Sequence, residues 1–317
     1  MRDLLITRRL PDAVLRAAAV EFNVTLKDDA APLTQAQAAE SLARYDAILP
    51  TLGDAFAAPV FAGGPHRCKI LANFGVGYNH IDTEAARAAG VTVTNTPGAV
   101  TDATADIALT LMLMTCRRAA EGERLVRAGQ WSGWQPTQML GLHMTGKVLG
   151  IVGMGRIGKA IARRAHFGFG MEVVFFNRSA VAEPGVPAQQ LEDIGAVLQA
   201  SDVVVTAVPA SPETHHMIGA AQLAQMKPSA HLVNIARGDV IDETALIKAL
   251  QGGQIAGAGL DVYEFEPEVP EALRVLENVV LLPHLGTAAL EVREAMGMMA
   301  LDNLRAFAAG EVPPNAV

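Results

Sequence analysis

Three polar residues in the second half of the chain each stand just beyond an apolar run. Arg237 follows "LVNIA", Glu266 lies five residues after Asp261 in "GLDVYEFEPE", and His284 follows "VVLLP". A guanidinium holds a carboxylate and polarises a neighbouring carbonyl through charge-assisted hydrogen bonds. An imidazole, whose ordinary pKa lies near neutrality, moves protons. A carboxylate hydrogen-bonded to that imidazole fixes its tautomer. Reduction of a keto acid needs such a cation, such an acid and a source of hydride. Taken singly, the three are as readily a surface turn arginine, a solvated acid in an acidic run and a loop histidine. Beside a hydride donor they form a working set.

The donor's place is marked by "VLGIVGMGRIGKAIARRAHF". Gly153, Gly155 and Gly158 form G-x-G-x-x-G directly after a strand-like run and directly before a helix-like one. The first glycine permits a tight turn, the second lets the backbone approach a pyrophosphate, and the third allows close helix–strand packing. The free N–H groups and dipole at the helix start favour an anion. About 20 residues later an NAD site carries a carboxylate for the ribose hydroxyls. Here the next strand, "EVVFF", ends in Asn177, Arg178 and Ser179 instead. Arg178 offers a permanently charged fork for a 2′-phosphate, with the Ser179 hydroxyl and Asn177 amide as neutral donors. The expected cofactor is therefore NADPH. Only one basic residue stands at this tip, so use of NADH stays open.

Other reactive residues fit no second chemistry. His80, in "GVGYNHID", and the pair His215 and His216, at an expected helix start in "SPETHHMIG", have no metal-ligand spacing with further His or Cys residues, and no metal is expected. Neither a G-x-S-x-G elbow nor a Cys–His arrangement suggests an acyl-enzyme route.

The elements that must carry these residues read as two α/β series. "DLLITR", "VTLK", "YDAILP", "KILANF" and "VTVTN" are strand-like, alternating with Ala-rich helical stretches. At Pro97-Gly98 the pattern breaks, and one long helix is expected from Thr101 or Asp102 to the "RLVRAG" segment. A polar connector bearing Trp131 and Trp134 follows. The second series then runs through "KVLGIVG", "EVVFFN", "DVVVTAVP", "HLVNIA", "IAGAGLDV" and "NVVLLP". The expected fold is two doubly wound parallel-sheet domains. A dinucleotide-binding domain, 99–286, is inserted into a discontinuous one, 1–98 and 287–317, completed by the last helix.

The 317 residues suit two domains, and with half of them apolar a large core is available. A formal charge of −8 and the lack of a basic run exclude a nucleic-acid partner. The start "MRDLLITRRL" does not read as a signal peptide, and no apolar run reaches the length of a membrane span. Cys68 and Cys116, without a CxxC partner, point to a reducing, cytoplasmic setting.

Taken together, "NFGVGYNHID", "VGMGRIG", "NIARGDVIDETAL", "GLDVYEFEP" and "LLPHLGTAA" resemble the D-isomer-specific 2-hydroxyacid dehydrogenase family over nearly the whole chain. Within it, "TDATADIALTLMLMTCRR", "WSGWQP" and the basic residue after the second cofactor-domain strand resemble the glyoxylate/hydroxypyruvate reductases. Thr287 stands where a serine is frequent. The resemblance implies a flavodoxin-like substrate domain, an inserted Rossmann domain, a cleft between them and a homodimer. It assigns Arg237 to the substrate carboxylate and carbonyl, His284 to acid/base work and Glu266 to partnering it. It assigns backbone N–H groups of Val76 and Gly77 to the carboxylate and Leu52 to the pocket wall. Thr104, Arg156, Ile157, Val208, Pro209, Thr214, Ile235, Asp261 and Gly286 would contact the cofactor. The implied activity is D-specific reduction of glyoxylate and hydroxypyruvate. A larger acid such as 2-ketogluconate, the D-lactate/pyruvate couple, and more remotely a dinucleotide-sensing interaction protein are the alternatives.

Overall fold

The computed structural model describes residues 2–317 as two compact units: the chain up to Val100 with Ala288–Val317, and Thr101–Thr287.

In the first unit the strand-like runs form β1 (Asp3–Ile6), β2 (Asn23–Leu26), β3 (Ala47–Leu49), β4 (Ile70–Ala72) and β5 (Thr92–Thr94). They make one parallel sheet in the order β2-β1-β3-β4-β5, the flavodoxin-like winding. Successive side chains point to opposite faces of a strand, so Leu5, Ile48 and Leu71 enter one core while Leu4, Ile6, Leu49 and Ile70 enter the other. The second core also takes Ala300, Leu301 and Leu304 from the terminal helix Leu290–Ala308. That helix therefore completes the first unit.

The second unit holds β6 (Val148–Val152), β7 (Glu172–Phe176), β8 (Ala188–Gln190), β9 (Val203–Thr206), β10 (His231–Asn234), β11 (Gly257–Leu260) and β12 (Val279–Leu281). All pairings are parallel, in the order β12-β11-β10-β9-β6-β7-β8. The direction of winding reverses between β6 and β9, and ligands of such sheets bind beyond the carboxyl ends of the strands at that point. Both faces are covered, as a parallel sheet requires. Val203 and Val205 pack with the helices Thr101–Cys116 and Arg156–Phe169, and Val204 packs with the helix Glu243–Gln251 on the other face.

Three local expectations are corrected. The single long helix is two, Thr101–Cys116 and Ala119–Arg127, with Arg118 left-handed between them at φ 51°. The connector returns across this break, where the Leu142 N–H bonds to the Cys116 carbonyl at 2.7 Å in place of a further helical turn. The short edge strand β8 has the polar sequence "AQQ", which carries no hydrophobic alternation to read. His215 and His216 sit in a turn ahead of the short helix Ala220–Leu223 rather than at its start.

Candidate active site

The glycine turn lies between β6 and the helix Arg156–Phe169. Gly153 is left-handed at φ 101°, and a Cβ there would come within 2.6 Å of the Ala207 carbonyl oxygen. One on Gly158 would meet the Gly153 carbonyl oxygen at 2.2 Å, whereas one on Gly155 would meet nothing within 4 Å. Two glycines thus close the turn and the middle one leaves open space above it. That is the clearance a pyrophosphate needs on a helix N-terminus. Arg156 is exposed at the first helical position with Ile157 half-buried beside it.

Beyond β7, the Asn177 side-chain oxygen accepts the Met154 N–H at 3.2 Å, so the strand tip is fastened to the glycine turn. The Asn177 amide also donates to the Ser179 carbonyl at 3.0 Å, and Gln190 of β8 donates to the carbonyls of both residues. Arg178 and Ser179 are exposed at this tip. Glu213 is an acid that feels the Arg178 charge. Its carboxyl is held below the ordinary range first by the Ser211 hydroxyl and its own backbone, with a lesser pull from Arg178.

Thr214 is buried, accepting the Ser211 N–H and donating to the Pro209 carbonyl, both at 2.8 Å. It braces the loop that carries Val208 and Pro209. Ile235 is part of the sheet core.

Arg237, Glu266 and His284 follow β10, β11 and β12, adjacent strands of the sheet. His284 Nδ1 and Glu266 Oε2 are 2.9 Å apart. Burial pushes the Glu266 carboxyl up, but the His284 hydrogen bond and charge, the Tyr263 N–H and Arg237 together hold it below the usual range. Burial lowers the Arg237 guanidinium, opposed by Glu266 and then Asp239; an arginine stays charged regardless. The three groups therefore share one electrostatic environment. Nδ1 being engaged by Glu266, Nε2 is the ring atom left to face a reacting oxygen.

The loops under these groups are stitched by backbone. Asp261, 1% exposed, accepts the Leu285 N–H at 2.6 Å on one oxygen and the Gly286 N–H at 2.8 Å on the other. Its own carbonyl takes the His284 N–H at 3.0 Å, and Thr104 donates to the Gly286 carbonyl at 3.2 Å. Burial raises the Asp261 carboxyl, an effect those two N–H groups oppose. Asp261, Thr104 and Gly286, assigned by resemblance to the cofactor, thus bond to one another and fix the histidine loop. They hold His284 at φ 55°, a backbone region few residues adopt. Tyr263 adds a second clasp, its hydroxyl donating to the Leu282 carbonyl at 2.9 Å and its N–H to Glu266 at 3.1 Å.

Gly238 went unnoticed in the sequence beyond its place in "ARGD". A Cβ on it would lie 1.8 Å from the Tyr263 carbonyl carbon. The backbone after Arg237 is therefore pressed directly onto the segment that carries Glu266. A glycine beside a candidate arginine was the available signal, but nothing local says what it touches.

In the first unit, the Asn73 amide donates to the carbonyls of Gly75 and Gly77, each at 3.1 Å, and Asn95 donates to that of Val76 at 3.0 Å. With the carbonyls drawn in, the Val76 and Gly77 N–H groups have no partner among the described residues. Such neighbouring N–H groups form an anion-binding concavity. Leu52 lies on the turn Thr51–Asp54. There the fully buried Asp54 accepts the Thr51 N–H at 2.8 Å, the Leu33 N–H at 2.8 Å and the Thr7 hydroxyl at 2.6 Å.

Residues 109–286 match the family model described as D-isomer specific 2-hydroxyacid dehydrogenase, NAD binding domain. The chain belongs to the D-isomer-specific 2-hydroxyacid dehydrogenases. Among its relatives in this family is the glyoxylate reductase of Pyrococcus furiosus, 45% identical over 99% of this chain and 94% of that one. The crystal structure of a glyoxylate reductase from Paecilomyes thermophila is similar at a TM-score of 0.88 and 34% identity, covering 100% of this chain and 98% of that one. A further dehydrogenase structure is that of the NADPH-dependent glyoxylate/hydroxypyruvate reductase from Sinorhizobium meliloti in complex with NADP and malonate. It has a TM-score of 0.87 and 35% identity, covering 100% of this chain and 96% of that one. The chain is accordingly an oxidoreductase of 2-keto acids that uses a nicotinamide dinucleotide.

Proposed function

We propose that this protein reduces glyoxylate and hydroxypyruvate to their 2-hydroxy acids, D-specifically where the product is chiral, with NADPH preferred over NADH. The substrate reading rests on the Glu266–His284 contact of 2.9 Å beside Arg237. The cofactor reading rests on the exposed Arg178 at a strand tip that carries no carboxylate.

Bound at the glycine turn, the cofactor supplies a hydride to the keto carbon. Arg237 binds the substrate carboxylate and draws electron density toward the carbonyl oxygen. His284, its Nδ1 held by Glu266, gives the Nε2 proton to that oxygen. The Val76 and Gly77 N–H groups receive the carboxylate. The protein works in the cytoplasm, a setting supported by two free, buried cysteines, and as a homodimer.

The test is nicotinamide absorbance with glyoxylate, hydroxypyruvate, pyruvate and 2-ketogluconate, each with NADPH and with NADH. Turnover strongest with glyoxylate and hydroxypyruvate and with NADPH is expected. A clear preference for NADH removes the role given to Arg178; a preference for 2-ketogluconate or pyruvate removes the substrate assignment. Arg178→Asp should swing the ratio of kcat/KM toward NADH.

A further inference from the structure

The turn at His215 and His216 has its third polar member supplied by the fold rather than by sequence neighbours. His216 Nε2 lies 2.8 Å from Glu264 Oε1, and the two imidazoles stack with centroids 4.0 Å apart and planes 23° from parallel. One ligand atom from each of His215, His216 and Glu264 falls within 4.8 Å of the others. Glu264 follows β11 by four positions, so no spacing along the chain links it to the histidines.

Both sides of this cluster are fixed by main chain. The His216 N–H donates to the Asp239 carbonyl at 2.7 Å and the Ile218 N–H to that of Val240 at 3.0 Å. Glu264 Oε2 accepts the Glu243 N–H at 3.4 Å. Gly238 backs onto the Tyr263–Glu264 peptide. His216 is in the left-handed region at φ 49°, a conformation that turns its ring toward Glu264 while His215 stays exposed. The Glu264 side chain is only 14% exposed, and the buried Glu243 carboxyl is near enough to feel its charge. A dication would offset that excess of negative charge.

We propose that His215, His216 and Glu264 bind a borderline transition-metal ion, Zn²⁺ foremost. Two imidazoles and one carboxylate are a common donor set for zinc, and a fourth position would be left to water. Oxygen-seeking Mg²⁺ and Ca²⁺ want carboxylates and carbonyls instead. On binding, each imidazole gives the ion one nitrogen lone pair; His216 does so through Nε2 and keeps its single ring proton on Nδ1, so the hydrogen bond to Glu264 is exchanged for two bonds to the ion. The ion ties the 214–218 turn to the segment between Glu264 and Glu266, with the Arg237–Val240 turn held between them. It acts as a brace and takes no part in hydride or proton transfer.

The test uses purified full-length protein stripped of metal, titrated with Zn²⁺ against a chromophoric chelator and, separately, with Co²⁺ followed by visible absorption. One ion per chain is expected, with a Co²⁺ ligand-field band and a higher Tm on loading. His215→Gln and Glu264→Gln should each weaken binding by about 10-fold or more and abolish the Tm shift. Glu264→Gln keeps an oxygen for the Glu243 N–H, so folding is retained. His284→Gln, which breaks the other His–carboxylate pair, should leave binding unchanged. Failure of the metal to bind even in large excess would overturn the proposal. So would unaltered affinity in both variants, or loss of binding in His284→Gln. None of these readouts depends on turnover.

Discussion

The Arg237 guanidinium donates to the Ala236 carbonyl at 2.7 Å, and the backbone just after it is pressed onto the Tyr263–Glu264 peptide at Gly238, which shapes what its replacement should do. The guanidinium is the only group of the three able to grip a carboxylate in two places, so Arg237→Ala should lower kcat/KM for glyoxylate by about 10²–10³-fold. Tm should move little, because the backbone beneath it is set by Gly238 and not by the side chain. A fall of less than tenfold in steady-state kinetics would remove Arg237 from the reaction. Gly238→Ala is the complementary case. Its Cβ would overlap the Tyr263 carbonyl at 1.8 Å, and no side-chain adjustment relieves a backbone clash. This variant should lose activity and about 2 kcal/mol or more of stability together, read by urea unfolding alongside kcat/KM.

At the scale of elements, β10 begins with a histidine whose environment is the reverse of the active-site one. His231 is 7% exposed with Nδ1 3.0 Å from the Thr115 hydroxyl of the helix Thr101–Cys116, and burial lowers its pKa to about 4. A histidine depressed in the folded state binds fewer protons there than in the unfolded chain. Its contribution is complete above the unfolded value near 6.5 and is lost as pH falls from there toward 4. Between pH 7 and pH 4.5 this one residue should cost about 2–3 kcal/mol of unfolding free energy. His231→Gln, which keeps a partner for Thr115, should flatten the pH dependence of urea midpoints by that amount.

Most strands were legible because their apolar runs are short, β-branched and followed by polar residues. The three candidate residues were legible because each sits just past such a run. What escaped had no local signature. The polar edge strand β8 is one case, and the break at Arg118, forced by a segment some two dozen residues later, is another. Asp261, Thr104 and Gly286 could be picked out, but not that they bond to one another across two strand ends and a helix. The pairing of His216 with Glu264 belongs with these, since it is tertiary contact alone that makes it.

For the whole molecule, the order of the chain has a practical meaning. The glycine turn, the Arg178 tip and Arg237, Glu266 and His284 all fall inside Thr101–Thr287, one unbroken stretch with its own two-faced core. A fragment spanning that stretch should bind NADPH in a fluorescence titration yet reduce no keto acid, because Val76 and Gly77 are missing. Turnover by the fragment would remove those two residues from the substrate site. Trp131 and Trp134 stand 54% and 80% exposed in the connector, more than aromatic rings of that size usually are in a lone chain. Light scattering should show a dimer. Trp134→Ala should alter the relative rates across the four keto acids if that ring reaches a partner's substrate; unchanged ratios would dismiss the idea.

The two asparagines that gather in the carbonyls of residues 75–77 turn the neighbouring Val76 and Gly77 N–H groups into a pair that side chains do not supply. If the proposed function holds, exchanging the side chains at positions 52 and 76 should admit a longer or bulkier acid while these N–H groups stay in place. A site wired in this way would diversify by retailoring its lining, while the peptide groups stay where the asparagines put them.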